Sequence, residues 1–178
     1  MNFFEVFGLP KRLNIDLQAL EKSFYKLSRK YHPDYFGAAS EDDKAKALQM
    51  TALLNDAYRT LRQPIRRVEY LLNLEGCKPD GSKAPKSFLM EVFEINEQLE
   101  EFRHNGASSG QIATLRQQVA GKHRDLMARI DAASHAWDEL LAGQAPDAEK
   151  ERHLKIMTEL MSEFSYIRNL ENDLEELQ

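Results

Sequence analysis

Apolar residues recur every three or four positions through most of this chain, the period of helices that bury one face. Leu17, Leu20, Phe24, Leu27 and Tyr31 follow one another at spacings of 3, 4, 3 and 4 and fall on one stripe of a helical wheel. Asp16 is a good N-cap for that segment, and Ile15 can pack on Leu20 as a hydrophobic staple. The segment must end at Tyr31, because Pro33 cannot continue a helix and pushes His32 out of helical geometry, which predicts a loop that displays its polar side chains. A second stripe, Leu48, Thr51, Leu54, Tyr58 and Leu61, follows a cap at Ser40 and Asp43, so two long helices are expected to lie antiparallel across that loop. Short helices flank the pair. One carries Phe3, Phe4, Val6 and Phe7 behind an Asn2/Glu5 capping box and stops at Gly8 and Pro10. The other starts at Pro64, carries Ile65, Val68, Leu71 and Leu72, and stops at Gly76.

From Gly76 to Ser87 the chain is rich in turn formers, including Pro79, Asp80, Gly81 and Pro85, and a domain boundary is placed there. Three helical segments follow, at about 87–105, 108–142 and 147–177, divided by Asn105-Gly106 and by Gly143 to Pro146. Short connections make neighbouring helices antiparallel, so the economical arrangement is a three-helix bundle. Ile112, Leu115, Val119, Leu126, Ile130, Ala133, Trp137 and Leu140 are core candidates on the second segment, with Met157, Leu160, Phe164, Ile167 and Leu174 on the third. The first segment holds more apolar residues than it can bury. Phe88, Val92, Ile95, Leu99 and Phe102 complete an inward stripe, which leaves Leu89, Met90 and Phe93 pointing away from it beside Glu94 and Glu97. An apolar cluster rimmed by acids has the character of a binding site; the alternative is that these side chains pack on the N-terminal domain or on the long second helix of the bundle.

Charge sharpens this picture. Lys22, Lys26, Arg29 and Lys30 lie opposite the apolar stripe of their helix, with no acid interleaved on that face. Like charges four residues apart cost a helix roughly 0.2 to 0.5 kcal/mol per pair, so helix stability alone does not favour the arrangement. Such runs are usually only a solvated face, but this one ends in His32-Pro33-Asp34. The net charge of −5 argues against a nucleic-acid binder, and it is unevenly spread, +2 over residues 1–75 and −7 over 76–178, which points to different partners for the two halves. Cys77 is the only cysteine, excluding an intramolecular disulfide or cysteine-rich zinc site and fitting a reducing cytoplasm. The five histidines show no metal-ligand spacing. No secretory leader and no membrane-spanning stretch is evident. No phosphate loop, nucleophile elbow or metal cluster supports an enzyme, and His32 beside a carboxylate does not by itself make one.

A short helix, a basic helix, a His-Pro-Asp loop and a returning helix together resemble the J-domain of the DnaJ-like co-chaperones. The resemblance implies that Lys22, Lys26, Arg29 and Lys30 dock on an acidic surface of a DnaK-class chaperone, and that His32, Pro33 and Asp34 couple docking to ATP hydrolysis in that partner. Over nearly the whole chain, through Phe7-Gly8-Leu9-Pro10, Glu69-Tyr70-Leu71-Leu72 and Ser87-Phe88-Leu89-Met90-Glu91, the sequence resembles the HscB family of bacterial iron–sulfur cluster assembly. The expected fold is therefore all-α, with a J-domain over residues 1–75, a linker over 76–86 and a C-terminal three-helix bundle over 87–178. The expected function is that of a co-chaperone, not an enzyme, needing no cofactor. It stimulates the ATPase of the DnaK-class chaperone HscA and delivers to it the IscU-like scaffold protein on which clusters are built. The resemblance places scaffold contact at Leu89, Met90 and Phe93, with Glu94 and Glu97 as polar neighbours, and at Ile156 on the third helix; Phe93 and Ile156 replace different apolar residues of better-known relatives. Some eukaryotic relatives begin with a cysteine-rich metal module, and its absence favours a bacterial-type member. The alternative is a general J-domain holdase with unfolded clients.

Overall fold

The computed structural model describes residues 1–36, 40–78 and 83–177, with Pro33 and Phe36 described by their backbone alone. The turn formers Pro79, Asp80 and Gly81 lie outside the described residues. Helices are α1 (Phe3–Val6), α2 (Leu17–Lys30), α3 (Glu41–Leu61), α4 (Pro64–Leu74), α5 (Lys86–Asn105), α6 (Ser109–Ala142) and α7 (Asp147–Glu175), and no strand occurs among the described residues. The chain divides into two compact units, Met1–Leu71 and Leu72–Gln178.

In the first unit α2 and α3 form the expected hairpin, with α1 packed on α3. Phe4, Leu20, Leu54, Leu61 and Leu71 are fully buried. Phe24 stacks on Tyr58 across the hairpin at 4.2 Å, and Phe3 stacks on Tyr70 at 4.3 Å while its backbone N–H donates to the Tyr70 hydroxyl. Caps form as the sequence implies. Asp16 accepts from the N–H groups of Gln18 and Ala19, Ser40 accepts from that of Asp43, and Asn2 and Glu5 close a reciprocal capping box. Gly8 and Gly76 take positive φ of 65° and 76°, and each is followed by a backbone N–H that reaches back to close the helix end, Leu9 to Phe4 and Cys77 to Leu72.

Two residues of the expected stripes are exposed instead of buried, Leu17 and Leu48. Leu17 is the first residue of α2, and its stripe is covered only from Leu20 onward. On α3 the contact line runs through Ala47, Leu54, Ala57 and Leu61, one residue off at its start, so that a small side chain occupies the position expected of Leu48. Arg67 is buried, with Nε donating to the Leu61 carbonyl at 2.6 Å and Nη1 to that of Leu13, so one guanidinium satisfies an open carbonyl at the end of α3 and another in the α1–α2 connection.

In the second unit α6 and α7 form a long antiparallel pair on which α5 packs through α7. Val92, Ile95 and Leu99 of α5 are buried, Phe88 and Phe102 half-buried, and Phe88 meets Tyr166 edge to face. All core candidates of α6 and α7 are buried or half-buried. Glu163, only 2 % exposed, is held by a two-pronged contact from Arg129 at 2.6 and 3.0 Å, and the bond to this carboxylate raises the guanidinium pKa above its ordinary value. The α6–α7 turn is closed by Ala145 N–H to the Leu140 carbonyl, and the left-handed residue there is Gln144 (φ 51°) although Gly143 stands next to it.

Candidate functional site

The first candidate site is the end of α2. The helix stops at Lys30, as Pro33 requires, but the chain then enters a short 3₁₀ turn, Pro33–Phe36, in place of an open loop. Tyr35 N–H donates to the His32 carbonyl at 3.0 Å. His32 Nδ1 lies 3.3 Å from the Asp34 backbone N–H, and one Asp34 carboxylate oxygen lies 3.4 Å from the same nitrogen. Both side chains face water. From α3, the Thr51 hydroxyl lies 3.0 Å from the Tyr31 carbonyl, the last one before His32, and 2.9 Å from that of Ala47, tying the start of the turn to the hairpin.

Lys22, Lys26, Arg29 and Lys30 are exposed, and among the described residues none of them forms an ion pair. Lys30 caps the Tyr31 ring at 5.2 Å. Arg29 and Lys30 also sit in the last helical turn, where the helix dipole favours cations; Lys22 and Lys26 have no such local reason. The arrangement is a solvated basic ridge leading to a polar turn. It can attract an acidic surface.

The second candidate site is on α5. Met90 and Phe93 are 67 % and 62 % exposed, Leu89 is half-buried, and Glu94 and Glu97 are exposed beside them. Glu91 is engaged elsewhere, in an ion pair with Lys122 of α6. Ile156 is half exposed on α7 and lines a groove with Leu140, Pro146 and His153, in which none of the α5 residues takes part. The α5–α7 ring contact, Phe88 on Tyr166, lies further along α7.

Residues 2–70 match the DnaJ domain model, and residues 84–175 match the model described as the HSCB C-terminal oligomerisation domain. The chain belongs to the HscB family. Curated relatives named co-chaperone protein HscB homolog share 36 % identity in Vibrio vulnificus, over 94 % of this chain and 96 % of that protein, and 36 % in Aeromonas salmonicida, over 92 % and 94 %. Among solved structures, chaperone HscB from Vibrio cholerae superposes with a TM-score of 0.68 at 31 % identity, covering 99 % of this chain and 96 % of that one. Human co-chaperone protein HscB superposes with a TM-score of 0.73 at 25 % identity, covering 99 % and 81 %. The protein is thus an HscB-type J-domain co-chaperone, of the family associated with iron–sulfur cluster assembly, and a J-domain implies a DnaK-class partner. The fold is all-helical with the J-domain first, as the sequence implied.

Sequence reasoning passed over Arg67 and Tyr25 of the HscB-type J unit and placed Thr51 only on the stripe of its helix. Arg67 and Thr51 act on carbonyls distant in sequence, which no local pattern reveals. Tyr25 carried a usable signal, a large ring adjacent to Phe24 and off the inward stripe, the same surplus that marks Met90 and Phe93. Among the described residues no group of three or more His, Cys, Asp or Glu is placed to hold a metal, and no helix is long and apolar enough to cross a membrane.

Proposed function

We propose that the protein is a two-ended adaptor of iron–sulfur cluster assembly in the cytoplasm, without catalytic chemistry of its own. Its J-domain, residues 1–75, recruits the DnaK-class chaperone HscA; a linker over 76–86 follows, and the bundle over 87–178 holds an IscU-like scaffold protein. Lys22, Lys26, Arg29 and Lys30 dock on the chaperone, and His32, Pro33 and Asp34 promote its ATP hydrolysis. Leu89, Met90 and Phe93, with Glu94 and Glu97 as polar neighbours, contact the scaffold, and so does Ile156 on α7. The reading rests above all on the pairing, in one chain, of an unpaired basic ridge ending in His-Pro-Asp with Met90 and Phe93 left in water on a helix that already has a complete inward stripe. Desolvating such a patch favours association, and the ridge gives orientation and encounter rate.

The test is steady-state ATP hydrolysis by the chaperone with this protein and the scaffold added separately and together. The expected result is stimulation by the protein and greater-than-additive stimulation by both. Asp34→Asn abolishes stimulation and leaves scaffold affinity intact; loss of both together argues against the division of labour. Comparable binding of unrelated unfolded chains makes the protein a general holdase.

A further inference from the structure

Beside the basic ridge lies a surface that charge does not explain. Tyr25 on α2 and Tyr35 in the 3₁₀ turn are 63 % and 71 % exposed, and they flank a shallow dish of about 580 Å³ lined further by Ser28, Arg29, His32 and Asp34. The His32 ring meets Tyr35 edge to face at 6.3 Å, which orients the second phenol relative to the turn. The Tyr25 ring meets that of its neighbour Phe24 at 5.6 Å, tilted, and still remains mostly in water. Neither ring serves the hairpin core, which Leu20 and the Phe24–Tyr58 stack already fill.

We infer that this dish receives an apolar side chain of the DnaK-class chaperone, with Tyr25 and Tyr35 as the short-range contacts of the docking surface. The inference rests on the reading of the His-Pro-Asp turn as the chaperone-docking end and adds a class of contact to it. Three observations select this occupant. The dish shares Arg29, His32 and Asp34 with the proposed docking surface, so a partner engaging those residues covers it. Two of its lining residues, Tyr25 and Tyr35, are mostly exposed aromatic side chains, which gain free energy when covered by carbon. Its cation and its carboxylate, Arg29 and Asp34, offset one another, so no net charge in the dish calls for an ion.

The two classes of contact divide the work. Exposed cations act over roughly a Debye length, ~10 Å in 0.1 M salt, and govern encounter. Aromatic anchors act only on contact and govern how long the complex lasts.

The experiment measures the dissociation constant of the full-length protein for its DnaK-class chaperone as a function of salt, for Tyr25→Ala, Tyr35→Ala, the matching Phe variants, Lys26→Ala and Asp34→Asn. Each Tyr→Ala is expected to raise Kd about tenfold, ~1.4 kcal/mol, through faster dissociation and with an unchanged slope of log Kd against log salt. The Phe variants keep the ring and stay within about twofold, which also excludes misfolding as the cause. Lys26→Ala flattens the salt slope. Wild-type Kd for both Tyr→Ala variants while Asp34→Asn still abolishes ATPase stimulation overturns the aromatic inference alone. Full stimulation by Asp34→Asn overturns the docking reading on which it rests, and the inference with it.

Discussion

Truncating Met90 and Phe93 together separates a binding surface from a piece of the core. With 62 % of Phe93 and 67 % of Met90 exposed, each leaves on the order of 120 Å² of a roughly 200 Å² side chain in water, worth about 3 kcal/mol if a partner covers it at ~25 cal/mol per Å². Alanine retains part of that contact, and ordering the interface consumes more. The loss for Met90→Ala/Phe93→Ala is therefore set at ~2 to 4 kcal/mol, roughly 30- to 1,000-fold in Kd for the scaffold. Folding draws on the other third of each side chain. Losing part of it costs ~1 to 2 kcal/mol as an upper bound, and alanine's better helix propensity than phenylalanine returns roughly 0.5 kcal/mol. In a chain of this size the melting temperature should then fall by less than roughly 6 °C. Ile95→Ala on the same helix is the opposite case. Its side chain is fully buried, and removing it costs ~2 to 5 kcal/mol of stability while touching nothing on the surface. Calorimetric titration of the scaffold and thermal melts on both variants decide the matter. A melting point lowered by more than roughly 10 °C in the double variant, with Kd unchanged, would refute the reasoning and make Met90 and Phe93 structural.

Three further outcomes follow from single contacts. Thr51→Val removes the hydroxyl donor to the Tyr31 carbonyl, a bond worth ~1 kcal/mol; half-maximal ATPase stimulation should need several-fold more protein, and an unchanged dose response would mean that this bond does not hold the turn. Arg129→Met strands the buried Glu163 carboxylate and should cost ~2 to 3 kcal/mol, less than a fully enclosed pair because the guanidinium is half in water, whereas Arg129→Met/Glu163→Leu should recover most of it in the same chemical-denaturation assay. Gln144→Gly relieves a left-handed residue that costs ~1 kcal/mol or more, so the melting temperature should rise by roughly 2 to 4 °C; no rise would mean that glycine's extra freedom in the unfolded chain cancels the relief.

The helices were legible because their caps and stripes are local. Asp16, Ser40, Gly8 and Gly76 each specify an end within a few residues, and the 3,4 spacing specifies a face. What escaped depends on a partner far along the chain. Glu163 looks in sequence like any exposed helical acid, because the arginine that permits its burial is 34 positions away. Leu48 lost its place to Ala47 because helix packing, not hydrophobicity, chooses which of two neighbouring residues lies on the contact line. Gln144 took the strained position beside an available glycine because the register of the last turn of α6 decides which residue must be left-handed.

The candidate sites were legible for the opposite reason. Lys22 and Lys26 crowd like charge without local compensation, and Met90 and Phe93 repeat an apolar investment that Ile95 and Leu99 have already satisfied. Each departs from what folding alone asks of a helix, and such departures persist where another molecule benefits from them. Applied evenly, the same criterion selects Tyr25, a ring one residue off its stripe, and passes over Trp137, which is as large but buried in the core. Surplus relative to the folding pattern, rather than residue type, is therefore the quantity that singles out the proposed docking surfaces from the core of this helical chain.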